Sequence, residues 1–180
     1  MRVNIETYLA GLPIREYAVI DTSRIPFSDE VEEMCRANRC GRYGKIWTCP
    51  PGVGTLEEWR ERLNRYKKTL VYSCKYDLED SFDFESMAAG AKATQQILYT
   101  LSDRLREDGV RFVALGCEGC GLCEKCTYPD APCRFPMKAT PSVEACGISV
   151  VRLAADTGIR YNNGKDTVTY FNLIAYEEDL

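Results

Sequence analysis

Apolar residues recur along this chain at two periods, and the changes of period mark out its elements. Residues 15–22, REYAVIDT, read as a strand. Residues 28–38, SDEVEEMCRAN, begin with Ser28 at an N-cap position and acidic side chains in the first turn. That predicts a short helix delivering Cys35 near its end. Residues 55–68 open with Thr55 and place Leu56, Trp59, Leu63 and Tyr66 on one helical face; TLVYSCKYDL (69–78) follows as a strand. Residues 84–108 carry Phe84, Met87, Ala91, Leu98, Leu101 and Leu105 at three- and four-residue steps, and Gly109 closes the run as the residue beyond a C-cap. VRFVALG (110–116) is a short apolar strand that leads directly into Cys117. Thr140–Pro141 has the form of an N-cap followed by proline at the first helical position, so a short helix through Cys146 is expected. A further helix over 149–157 stops at Gly158, and residues 159–177 are expected to close the chain as a hairpin around Asn163–Gly164.

The layout predicts an α/β (α+β) fold, with a central sheet of about four or five strands and helices packed on it. One domain over residues 1–180 is expected, with cysteine-rich loops at 35–54 and 117–146. A chain of 180 residues with 45% hydrophobic content can bury a single core without covalent staples. Its net charge of −4 and pI near 5.1 argue against a general nucleic-acid binder. The opening MRVNIETYLAGLP lacks the apolar stretch of a secretory signal, and no run reaches membrane-spanning length. A soluble, cytoplasmic protein is therefore expected, in a compartment that disfavours disulfides. Ten cysteines kept reduced in such a place point to metal. The chain has no histidine, which removes Cys2His2 zinc sites and the commonest general base near neutral pH. All-thiolate coordination selects zinc or iron–sulfur.

The cysteines concentrate where the regular pattern breaks. The first loop spaces them as Cys35-x4-Cys40-x8-Cys49 followed by Pro50–Pro51; the second as Cys117-x2-Cys120-x2-Cys123-x2-Cys126-x6-Cys133. Loops rich in Gly and Pro bury little apolar surface, so metal ligation is a source of order for them. A C-x2-C-x2-C run with a distant fourth cysteine near a proline is the ferredoxin-type pattern of an iron–sulfur cubane, although here Pro136 comes two residues later than usual and the x6 gap is wider. Three consecutive x2 steps overfill a tetrahedral zinc site, so a [4Fe–4S] cluster is favoured over zinc. Buried structural thiols without metal are the bland alternative. The first loop is one ligand short, with Cys74, Cys117 and Cys146 as candidates for the fourth. Of these, Cys74 suits the core of a strand, whereas Cys146 suits either role. If the fourth ligand is missing, one iron stands open to a small substrate.

CRANRCGRYGKIWTCPP and GCGLCEKCTYPDAPCRFPMKATPSVEACGISV together resemble a small prokaryotic family described as predicted metal-binding proteins of unknown function. The resemblance covers roughly residues 30–160, on the motifs C…C…YGK…CPP and C-x2-C-x2-C…CR-x-P…PS-x-EA-x-GI. It implicates Cys35, Cys40, Cys49, Cys120, Cys123, Cys126 and Cys133 as ligands. Cys117 stands where that pattern expects a small residue. The resemblance implies a metal and no substrate.

Around the cysteines, Tyr43, Trp47 and Tyr128 are candidates for an apolar shell or for ordinary packing. Lys45 and Arg134 are candidates to offset thiolate charge, and Glu118 and Glu124 are expected to face solvent. RERLNRYKK (60–68) is a docking stripe or simply a solvated helix face. No nucleotide-binding fingerprint appears. The expected function is electron transfer or an accessory redox role through one or two [4Fe–4S] clusters, with a redox partner protein. The alternatives are an enzyme presenting an open iron to a small-molecule substrate, and a structural zinc protein.

Overall fold

The computed structural model describes residues 3–178. Four strands, β1 (Glu16–Asp21), β2 (Lys68–Asp77), β3 (Phe112–Leu115) and β4 (Thr167–Tyr176), form one antiparallel sheet in the order β1-β2-β4-β3. Four helices accompany it: α1 (Asp29–Arg36), α2 (Leu56–Leu63), α3 (Phe84–Glu107) and α4 (Val150–Thr157). The fold is therefore α+β. Among the described residues, no helix is long and apolar enough to cross a membrane.

The two central strands are covered on both faces, which is why TLVYSC reads as a continuous apolar run. Alternation divides the core. Leu70, Tyr72 and Cys74 of β2 pack with Ile174 of β4 against Ile97, Leu98, Leu101 and Leu105 of α3. The opposite parity, Val71 of β2 with Phe171, Leu173 and Ala175 of β4, packs against Trp59 and Leu63 of α2 and Leu153 of α4. α3 ends as the sequence predicts. Gly109 takes φ 71°, its N–H bonds the Arg106 carbonyl, and the Val110 N–H bonds the Leu105 carbonyl, a Schellman closure. At the start of α2, Thr55 and Glu58 form a reciprocal capping box.

Three local expectations change. Residues 159–163 do not form a hairpin strand with β4. Ile159 instead enters the core and Tyr161 stacks on Phe171 at 5.9 Å, so the segment leaves the plane of the sheet, where β4 pairs with β2 along its length and with β3 over Leu173–Tyr176. The Asn163–Gly164 turn instead feeds β4 into place, with the Asn162 side chain accepting the Gly164 N–H. The helix expected from Thr140 shrinks to a 3-10 turn at Glu144–Cys146, because the Thr140 hydroxyl accepts from Gln95 and the next residues bridge to Gly116. Ser28 has the extended backbone of an N-cap without the side-chain bond, and its N–H goes to the Gly147 carbonyl. Gly147 itself needs φ 79°, and a Cβ there would meet Leu56 at 2.6 Å.

Cys74 is 1% exposed, and burial pushes its thiol up to about 11. A thiol raised in the folded state stabilises below its unfolded value of about 8.5 and loses that contribution as pH rises through about 11. The stability gap between wild type and Cys74→Ala, followed by denaturant melts, is expected to move against wild type by on the order of 2–3 kcal/mol from pH 8 to pH 11. A gap independent of pH would show that Cys74 is not the desolvated core thiol described above.

Candidate metal centre

Both cysteine-rich segments are irregular, and each hangs from a regular element. α1 ends at Arg36, so Cys35 lies in its last turn; Cys40 and Cys49 follow in a chain of turns. That first loop is held in shape by its own backbone: the Gly44 N–H bonds the Pro50 carbonyl and the Val53 N–H bonds the Cys49 carbonyl. The second loop leaves the sheet where β3 ends at Leu115. It is turned back by bonds from the Thr127 hydroxyl to the Pro132 carbonyl and from Arg134 to the Lys125 carbonyl.

The two loops close on each other. The Arg42 guanidinium donates to the Gly119 carbonyl at 2.9 Å, the Cys120 N–H donates to the Thr48 hydroxyl at 3.0 Å, and the Trp47 indole N–H donates to the Ala131 carbonyl at 3.0 Å. Trp47 also meets Tyr128 edge-on at 4.9 Å. The fit leaves no room for a side chain at Gly52 and little at Gly119. A Cβ on Gly52 would lie 2.7 Å from the Tyr128 ring, and one on Gly119 would lie 3.1 Å from Arg42 and Ile46 and 3.2 Å from the Cys49 sulfur.

Within this joined unit the cysteines sort into two sets. Cys120, Cys123, Cys126 and Cys133 line one cavity of about 250 Å³, walled by Ile46, Trp47, Leu122 and Phe135. Burial raises the Cys120 thiol, and the charges of Cys133, Cys123 and Cys126 add to that, while the Leu122 N–H reaches its sulfur and favours the thiolate. The second set is the cysteines of the first loop, with Cys49 buried, Cys35 half-buried and Cys40 exposed. Burial pushes Cys49 up to about 11; the charge of Cys40 adds to it and the Arg42 guanidinium opposes it. Cys35 is raised by burial, then by Cys40 and Glu144. Cys49 also feels Cys120, so the two sets are electrostatic neighbours.

The remaining cysteines lie apart. Cys74 is in the core, within bonding reach of Thr94 and Tyr76. Cys117 turns toward α3, with its sulfur 3.7 Å from the Ala91 carbonyl, and burial pushes its thiol up to about 12. Cys146 has no exposed surface and packs in the apolar cluster beneath α2 and α4, although the charges of Cys35 and Cys49 still act on it.

All ten cysteines are free thiols. Among the described residues no group of three or more Cys, Asp or Glu side chains stands in a finished metal-holding arrangement. The chemistry of the donors nonetheless suits a soft metal: four thiols around one apolar-walled cavity, with backbone N–H and guanidinium groups to balance thiolate charge. Of the residues expected to surround the cysteines, Trp47, Tyr128 and Arg134 are at the loop contact or the cavity, while Lys45 is exposed and does not line it. Glu118 and Glu124 are exposed as expected. Arg60 and Arg62 of the basic stripe lie over Phe27 and Trp59.

Two residues escape sequence reasoning. Arg42, in the CGRYGK stretch, is the cation beside Cys49. Glu144, in PS-x-EA-x-GI, carries a carboxyl that burial raises above the usual range. Spacing gives no sign of either, because both act across loops far apart in the chain.

The Gly119 contact makes a direct prediction. Gly119→Val is expected to push the loops apart at Cys49 and to lower metal content at both cysteine sets together, measured as metal per chain, with near-UV circular dichroism of the sheet core retained. Full metal content in that variant would show that the loops do not depend on their mutual fit.

A family model described as predicted metal-binding protein (DUF2284) matches the chain over residues 18–175, a span that contains every cysteine of both sets. No curated protein and no solved structure matches it. With its fold, its thiol-lined cavity and this match over most of its length, the chain belongs to the DUF2284 family of predicted metal-binding proteins.

Proposed function

We propose that this metal-binding protein is an iron–sulfur protein with an electron-transfer or accessory redox role. Cys120, Cys123, Cys126 and Cys133 hold one [4Fe–4S] cluster, and Cys35, Cys40 and Cys49 hold most of a second. The observation that carries the reading is the convergence of four thiols on one cavity walled by Ile46, Trp47, Leu122 and Phe135. Their x2-x2-x6 spacing supports a cubane over a single zinc ion. Bound clusters supply one-electron redox chemistry. The residues supply the setting: the Leu122 N–H at the Cys120 sulfur and Arg42 beside Cys49 stabilise the thiolate forms, and the aromatic contact of Trp47 with Tyr128 shields the centre from water. The proximity of Cys49 to Cys120 favours electron passage between the two sets before delivery to a redox partner protein.

A second reading, an enzyme acting on a small molecule, is favoured by a groove of about 910 Å³ that opens beside Cys133. Trp47, Trp59, Tyr66 and Phe112 line it with Arg62 and Arg111, a concave surface of the kind that receives small ligands.

Purification without oxygen, followed by iron, sulfide and zinc analysis, tests the proposal. Iron with sulfide near two cubanes per chain is the expected result. Cys123→Ser is expected to lower iron by one cluster, because a hard hydroxyl replaces thiolate poorly on iron. A colourless protein holding zinc alone would refute the iron–sulfur reading in favour of a structural zinc role.

A further inference from the structure

The groove beside Cys133 is built from three parts of the fold. α2 supplies Trp59 and Arg62, β3 supplies Phe112, and the two cysteine-rich loops supply Trp47 and Cys133. It shares a wall with the four-thiol cavity, because Trp47, Thr48, Cys133 and Ala139 line both. A molecule in the groove therefore rests against the back of that cavity. A volume of about 910 Å³ lies in the range that receives small ligands. Trp47, Tyr66 and Phe112 are half-buried, so their rings offer flat apolar surface to such a ligand.

Charge in the groove is one-sided. Three guanidiniums, of Arg62, Arg106 and Arg111, line it with one carboxylate, of Asp130, although the whole chain carries a net charge of −4. Two of the three have acidic partners. Arg106 bonds Asp103 at 2.7 Å, and Arg111 pairs with Glu177. Among the described residues, Arg62 has no carboxylate within ion-pair distance. Its guanidinium lies instead over the Trp59 ring, 4.7 Å from the centroid. A guanidinium stacked on a ring keeps its N–H donors around its edge, where they suit the two parallel bonds of a carboxylate.

We infer that the groove binds a small aromatic carboxylate, with its ring against the aromatic wall and its carboxylate on Arg62. One guanidinium free of acidic partners matches a single negative charge, which favours a carboxylate over a phosphate dianion. The inference deepens the small-molecule reading of this groove and rests on it. It does not depend on which metal the thiols hold.

Equilibrium dialysis of the full chain, purified without oxygen and with its metal, measures affinity for naphthoate and for the neutral naphthamide. The acid is expected to bind about tenfold more tightly than the amide, the preference that one charge-assisted contact supplies. Arg62→Gln is expected to weaken naphthoate binding by about tenfold, with metal per chain unchanged, which marks the variant as folded. Arg62→Lys keeps the charge without the planar fork and is expected to fall between the two. An amide that binds as well as the acid, or naphthoate binding unchanged in Arg62→Gln, would overturn the carboxylate assignment and leave the small-molecule reading in place. Binding of neither probe would overturn both. Binding of polyglutamate without naphthoate would also overturn both, by making the groove a docking face for an acidic protein.

Discussion

The closure of one cysteine-rich loop on the other is the contact on which the rest of the centre depends. Neither loop has a hydrophobic core of its own. Each is ordered by backbone turns and by the small set of bonds that Arg42, Trp47 and Thr48 make to Gly119, Ala131 and Cys120. Single hydrogen bonds of this kind contribute about 1 kcal/mol each, too little to hold desolvated thiols together against their loss of hydration. Burial raises the Cys35, Cys49 and Cys120 thiols. A bound metal ion displaces their protons and balances the thiolate charge that burial disfavours, which links metal uptake to loop order.

The sheet has a different role. β2 and β4, covered by α3 on one face and by α2 and α4 on the other, make a core that does not involve the loop cysteines beyond Cys146. That core fixes three anchor points: the end of α1, the end of β3 and the Glu144–Cys146 turn. The loops span between them. The fold can thus be stable while the centre is adaptable, a division common to proteins that carry functional loops on a rigid scaffold.

Much of this was legible in the sequence where chemistry is local. The capping box at Thr55, the Schellman end at Gly109 and the apolar run of β2 each arise from neighbours within a few residues, so pattern alone located them. That Cys120, Cys123, Cys126 and Cys133 line one cavity follows in the same way from their close spacing. What pattern could not supply was decided by distant partners. The hairpin at Asn163–Gly164 fails because Ile159 is drawn into the core and Tyr161 onto the Phe171 ring, and the helix at Thr140 fails because Gln95 takes its hydroxyl. Arg42, Glu144 and the turn of Cys117 toward Ala91 likewise depend on segments far apart in the chain.

In the proposed function, thiolates of both loops, and not surface carboxylates or water, hold the metal. X-ray absorption at the edge of the metal bound to protein purified without oxygen reads that directly. The account predicts a first shell dominated by sulfur, with a short metal–metal distance as expected for a cluster. A first shell dominated by oxygen or nitrogen would contradict it.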